Sequence, residues 1–306
     1  MTTSAIVLDL IEAFRRSKTM FAAVELGIFD GQRPSGYKEL ARLLDACVAL
    51  GLLAKKDGAY VNTPEADKFL RSDSPDTMIG YIRYSNHALY PMWAHLEDAL
   101  REGAPRWKQT FGTDGPIFSQ FFRTESAMKE FLQGMHGFGQ ISSPAVAAAF
   151  DLSRFHHLVD LGGATGHLAA AVRARYSNIR TTVFDLPQVA TLIPGILAGD
   201  FFTDPLPPAD LYALGRILHD WSEEKIHKLL AKIHNALPPG GGLLIAEKLL
   251  EETYVAAHMQ SLNMLVATEG RERTAEEYDA LLKSAGFSSV ETRRTGTPLD
   301  AILATK

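Results

Sequence analysis

After Asp151 the chain alternates short apolar runs with amphipathic stretches to its end, and nothing else in the sequence constrains the fold as strongly. "HHLVDLGG" (156–163) is an apolar run closed by glycines, and "HLAAAVRARY" (167–176) reads as helix. "IRTTVFDLP" (179–187) is a β-branched run ending in Asp185, and "ADLYALGRIL" (209–218) is a further strand. "SEEKIHKLLAKIHNAL" (222–237) is an amphipathic helix with Ser222 at its N-cap, closed by Pro-Pro-Gly-Gly-Gly. "GLLIAEKLL" is a strand, "AEEYDALLKSAGF" a helix ending at Gly286, and "SSVETRRTGTPLDAILATK" supplies a final hairpin. Strands that alternate with helices in this way need crossover connections. They predict an α/β class: a Rossmann-like, doubly wound, mainly parallel sheet.

The N-terminal half obeys a different pattern. Apolar residues recur at three-to-four spacing from Ile6 to Phe29, which predicts a helix over 4–29. A second helix follows in "KELARLLDACVALGLL". Asp57-Gly58 then separates two short extended runs, a hairpin signal. Helix followed by a two-stranded hairpin is the pattern of a winged-helix unit. Residues 75–150 read as mostly helical and aromatic-rich. The expected divisions are residues 1–105, winged-helix-like; 106–155, a helical linker over the site; and 156–306, the ligand-binding sheet domain.

Composition excludes several classes. The formal net charge is −5, and the first 70 residues carry nine Lys/Arg against nine Asp/Glu, so no basic field attracts nucleic acid. Cys47 is the only cysteine, which excludes an intrachain disulfide and any multi-cysteine metal site. The histidines form no HxxxH or HExxH pair, so no metal is expected. The N-terminus lacks the basic region of a signal peptide, and no apolar stretch approaches the ~20 residues that span a bilayer. The expected location is the cytoplasm.

In an open parallel sheet, ligands bind where strands end and helices begin. "VDLGGATGH" (159–167) occupies such a place, and its glycines let a ligand approach the backbone. The spacing is not GxGxxG, so the grip on a dinucleotide pyrophosphate is absent. Asp185 in "VFDLP" stands where a carboxylate can accept from both hydroxyls of a ribose. In "GDFF", Gly199 precedes Asp200 and Phe201, which offer an acceptor and an apolar wall for an adenine. Taken singly, these are also what a tight turn, a helix N-cap and a loop acid look like. In order, they point to an adenosine-containing ligand other than a dinucleotide, with S-adenosylmethionine the natural candidate.

"RILHDWSEE" (216–224) places His219 at the end of a strand beside that crevice. Neutral imidazole can take a proton near physiological pH, so His219 is a candidate general base for a hydroxyl nucleophile. Such a base needs a partner on its second nitrogen, and Glu272 and Glu247 are the candidates. The competing reading makes His219 a helix cap and Trp221 a core residue.

"LVDLGGATG", "VFDLPQV", "GDFF", "RILHDWSEE", "PPGGGLLIAE", "SLNMLV" and "EGRERT" occur in the order and chemistry of the class I S-adenosylmethionine-dependent O-methyltransferases. The chain resembles the caffeic acid and acetylserotonin (hydroxyindole) subgroup over nearly its whole length, and most of all the acetylserotonin branch. The resemblance implies S-adenosylmethionine as cofactor, S-adenosylhomocysteine as product, a small aromatic hydroxyl as acceptor, and a homodimer through the N-terminal domain. It further implies that Phe122, Gly162, Asp185, Gly199, Asp200, Phe201 and Arg216 contact the cofactor. His219 is then the proton acceptor and Glu272 and Glu247 position it, while Asp220, Asn263, Phe131 and Met135 meet the acceptor. Alternative readings are a family relative with hydroxylase or decarboxylase chemistry, or a winged-helix ligand-sensing regulator. The chain departs from the acetylserotonin pattern at Ala267, where those enzymes carry a Gln, and it is short over 30–44 and 188–199.

Overall fold

A computed structural model of the protein describes residues 3–306. It gathers into two compact units. One comprises residues up to Tyr90 together with Thr124–Gly137; the other comprises Pro91–Arg123 and Phe138–Lys306. These limits differ from the sequence-based boundaries at 105 and 155. Residues 91–123 belong with the second unit because their polar groups are tied to the end of its helix Val255–Ala267. Arg106 N donates to Val266 O at 2.8 Å, and Trp107 Nε1 donates to Ala267 O at 2.8 Å.

The first unit begins with α1 (Thr3–Glu25), a single 3-10 turn at Ile28–Asp30 and α2 (Leu40–Ala49). The helix expected over 4–29 stops early because Gly27, at φ 64°, takes the left-handed conformation that ends it. Strands β1 (Leu53–Lys56) and β2 (Ala59–Asn62) pair antiparallel, with Lys56 opposite Ala59. Asp57 and Gly58 both take positive φ, as a two-residue hairpin loop requires. Helices α3 (Pro64–Phe69) and α4 (Ile79–Tyr84) follow. The unit's core is formed by Phe21, Val24, Ile28, Phe29, Leu44, Cys47, Leu53 and Ile82, among others.

Short helices α5 (Tyr90–Trp93), α6 (Leu96–Glu102), α7 (Trp107–Phe111) and α8 (Ile117–Phe121) lead to the long α9 (Glu125–Ala148). The second unit then runs β3 (His157–Leu161), α10 (His167–Arg175), β4 (Arg180–Asp185), α11 (Pro187–Leu192), β5 (Leu197–Ala198) and β6 (Leu211–Gly215). It continues with α12 (Glu223–Ala236), β7 (Gly242–Glu247), α13 (Val255–Ala267), α14 (Ala275–Ser284), β8 (Ser289–Arg293) and β9 (Asp300–Thr305). Ser222 is the N-cap of α12 as expected, but its side chain makes no capping hydrogen bond. The capping box is instead at α14, where Thr274 and Glu277 satisfy each other's backbone N–H groups.

The seven strands lie in the order β5-β4-β3-β6-β7-β9-β8. β3 to β7 are parallel, while β9 runs antiparallel to both β7 and β8. Winding proceeds outward from β3 in one direction and resumes at β6 in the other. The switch point therefore lies between the carboxyl ends of β3 and β6. Leu158, Leu168, Leu211, Ala213, Leu244 and Leu303 form much of the buried layer against which Phe138 and Val183 pack.

Leu244 sits in β7 at 0% exposure, between β6 and β9. Leu244→Ala is expected to cost about 2–5 kcal/mol of stability, as buried Leu→Ala changes do, read from the urea denaturation midpoint.

Candidate active site

The turn after β3 lets the chain pass close beneath a ligand. Gly162 (φ 66°), Ala164 (φ 48°) and Gly166 (φ 73°) all take the left-handed region. A Cβ on Gly162 would come within 2.6 Å of Ile217 Cδ1 and 3.3 Å of the Phe201 ring, so only glycine fits there. The same contacts show that this turn adjoins the segments after β5 and β6. At the tip of β4, Asp185 is buried; its Oδ2 accepts from Ala164 N at 2.7 Å and its Oδ1 from Leu186 N at 2.7 Å. Each oxygen keeps a second lone pair for a ligand hydroxyl. Gly199 follows β5 and donates to Asp185 O at 2.9 Å. Asp200 Oδ1 accepts from Phe202 N, and Lys232 Nζ donates to the carbonyls of Phe201 and Asp204, fixing the loop. Gly162, Asp185, Gly199, Asp200 and Phe201 are thus gathered on three adjacent strand ends.

Beyond β6, Arg216 takes φ 56° and donates its N–H to Ala246 O at 2.9 Å. Its guanidinium lies 4.8 Å from the centroid of the Phe138 ring. His219 is not on the strand but in a 3-10 turn, Leu218–Asp220. Its Nδ1 lies 2.7 Å from Glu272 Oε1 and 3.3 Å from Glu247 Oε2. Glu247, the last residue of β7, is held by Ile217 N and Leu218 N, which donate to its Oε1 at 3.0 and 2.9 Å. His219 Nε2 lies on the other edge of the ring, 3.7 Å from Asp220 Oδ1. Both glutamates converge on one nitrogen and leave the other for chemistry. One ligand atom each of His219, Glu247 and Glu272 falls within 4.8 Å of the others, and Nδ1 is already engaged with Glu272.

Neighbouring groups lock this turn. A Cβ on Gly270 would lie 2.2 Å from His219 O, so the loop after α13 packs directly on the turn's backbone. Arg273, 2% exposed, reaches Leu218 O and Arg271 O and pairs with Glu223. Trp221 packs among Phe118 and Phe202 at 5.6 and 4.9 Å, so it is a core residue. Phe122 caps α8, with its ring 5.8 Å from Phe118. Asn263, on α13, accepts from Trp93 Nε1 at 2.9 Å. Ala267 is fully buried and has no polar side chain to offer. Phe131 and Met135 lie on the part of α9 that belongs to the first unit, where Phe131 packs edge-on against Tyr84.

Sequence reasoning missed Gly270, Arg273 and Trp93. A glycine between two charged residues gives no periodic signal, and its role depends on a backbone 51 positions away in the chain, at His219.

Charge sets the state of the cluster. Burial alone would lower the His219 pKa, but Glu247, Glu272 and Asp220 outweigh it and push it to about 10. Burial raises Glu247 to about 7 against the pull of His219, and it raises Asp220 to about 6 against His219 and Arg216. Beneath the glycine turn, burial raises Asp160 to about 7.

The O-methyltransferase domain family matches residues 93–288. A probable bifunctional dTTP/UTP pyrophosphatase/methyltransferase protein of Homo sapiens is 40% identical, over 98% of this chain and 53% of its own length. The present chain thus spans about half of that relative. Acetylserotonin O-methyltransferase of Gallus gallus is 41% identical over 98% of this chain and 97% of its own. Its alignment runs over 335 positions, more than the 306 residues here, so this chain is shorter within the matched region. The crystal structure of human N-acetylserotonin methyltransferase in complex with SAM superposes with a TM-score of 0.95 at 37% identity. It covers 100% of this chain and 98% of that one.

His219, Glu247 and Asp220 all hold protons more tightly folded than unfolded. Their stabilising contribution is full below the unfolded pKa values. It is lost as pH rises through about 6 to 7 for the carboxylates and about 10 for the imidazole. The urea midpoint is expected to fall between neutral pH and about 10, and His219→Gln should flatten that limb. A midpoint that rises over this range contradicts the coupling.

Proposed function

The chain belongs to the O-methyltransferase family, and on that premise we propose that it methylates a hydroxyl of a small aromatic acceptor, phenolic or hydroxyindole, using S-adenosylmethionine. The observation that carries this reading is the clamp on His219 Nδ1, set beside the Gly162 turn at the switch point of the sheet. Bound S-adenosylmethionine would supply an electrophilic methyl on a sulfonium. The residues present suit that group: a glycine turn that a Cβ would fill, a buried carboxylate at a strand tip for the ribose, and an aromatic wall at Phe201. Gly162, Asp185, Gly199, Asp200, Phe201, Arg216 and Phe122 would hold it.

His219 then receives the acceptor's proton at Nε2, with Nδ1 held by Glu272 and braced by Glu247. Asp220 and Asn263 would orient the acceptor. Holding the reacting atoms in line can supply about 7–11 kcal/mol at best, and a placed base about 10²–10⁴-fold. The ligand-free cluster keeps its imidazole protonated at neutral pH, so kcat/KM is expected to climb toward alkaline pH. That limb reports the titration of the whole cluster rather than of one residue. Ala267 removes a polar contact from the acceptor site, so acetylserotonin is expected to be a poorer acceptor than simpler hydroxyindoles and phenols.

The N-terminal unit supports a homodimer. Leu10 and Phe14 on α1 are 67% and 53% exposed, alongside exposed Ile6, Val7 and Ile11. An apolar stripe this long on one helix fits burial against a second copy. Leu10→Glu with Phe14→Glu should shift the mass measured by light scattering from dimer to monomer; a monomeric wild type would refute the dimer.

His219→Ala is expected to lower kcat by roughly 10²–10⁴-fold while calorimetry still shows S-adenosylhomocysteine binding. Wild-type turnover in that variant would remove His219 from the mechanism.

A further inference from the structure

Three buried polar atoms around the clamp on His219 have no hydrogen-bond partner among the described residues: Glu247 Oε2, Glu272 Oε2 and the hydroxyl of Tyr278. All three residues are 0% exposed. The other oxygens of the two carboxylates are engaged. Glu247 Oε1 accepts from Ile217 N and Leu218 N, and Glu272 Oε1 meets His219 Nδ1. Tyr278 comes from α14, whose start is fixed by the capping box of Thr274 and Glu277. Its phenol lies in the field of both glutamates and of Arg273, and Arg271 also senses it. The glutamates in turn face His219, Asp220 and Lys248. Arg273 is engaged with Leu218 O, Arg271 O and Glu223 and completes no hydrogen bond to the phenol. Buried atoms of this kind are costly to leave unpaired. A phenol can donate and a carboxylate oxygen only accepts. One buried water, which makes about three hydrogen bonds, can accept from Tyr278 and donate to each glutamate.

We propose that Tyr278 is a positioning residue for methyl transfer: through one buried water its hydroxyl holds Glu247 Oε2 and Glu272 Oε2, and so keeps both carboxylates on His219 Nδ1. The inference rests on the methyl-transfer reading. Two like charges aimed at one nitrogen push each other apart, and a donor shared between them offsets that repulsion. The same donor favours the cluster with fewer protons bound. It therefore lowers the pH at which His219 can receive the acceptor's proton. Burial holds the Tyr278 proton well past the ordinary range of a phenol, so the hydroxyl stays a donor throughout the titration of the cluster.

Tyr278→Phe removes the hydroxyl and keeps the ring in its packing. The alkaline limb of kcat/KM is expected to move to higher pH by about one pH unit. KM for a phenolic acceptor should hold, because the glutamates lie on the Nδ1 edge of the imidazole and the acceptor on the other. The charge on His219, followed by NMR in the ligand-free protein, should shift in the same direction. Leu281→Ala, buried on the same helix, is the structural control: it should lower Tm and leave both titrations in place. Titrations that stay put in Tyr278→Phe, or that move equally in Leu281→Ala, overturn the positioning role. A wild type that transfers no methyl group to any phenol or hydroxyindole would instead defeat the methyl-transfer reading, while the NMR titration still decides whether Tyr278 acts on the cluster.

Discussion

The site depends on one buried contact, the 2.7 Å approach of Glu272 Oε1 to His219 Nδ1. An imidazole this deeply buried would stay neutral if it were alone. Three carboxylates reverse that preference, and they come from three places: the end of β7, the loop after α13, and the turn itself. The contact therefore ties together segments distant in sequence, and the backbone around it follows. Ile217 and Leu218 direct their N–H groups at Glu247, Gly270 lies on His219 O, and Arg273 braces Leu218 O. A proton-transfer group needs such bracing, because small errors in its placement cost rate steeply.

The crevice shows the local cost of this arrangement. Ala164 and Arg216 hold positive φ without being glycine, and both flank the switch point. Strain of this kind persists where surrounding structure over-determines it, and it gathers at functional sites. The apolar layer of the sheet provides that support, with Leu158, Leu211 and Leu244 fully buried behind the polar rim.

Much of this was legible in the sequence, where local chemistry dictates local form. The alternation after Asp151 and the Asp57-Gly58 hairpin were readable, as was the switch to an antiparallel C-terminal pair. Other features were not. Gly27 divides the first helix, yet the apolar period runs through it unbroken. β5 is only two residues long, and its place comes from pairing with β4 rather than from its own propensity. The cap of α12 reads well in sequence but goes unused, while that of α14 closes fully, because the neighbouring backbone decides which side chains are free to turn inward.

By itself the sequence determined the α/β class, the order of strands and helices, and the residue types at each strand end, because periodicity and turn chemistry act over a few residues. It could nominate His219, Glu247 and Glu272 but could not say that both acids meet the same nitrogen. Tertiary structure decided that, along with the seat of Gly270 on the turn. These are relations between segments tens of residues apart, and they exist only once the sheet brings its strand ends together.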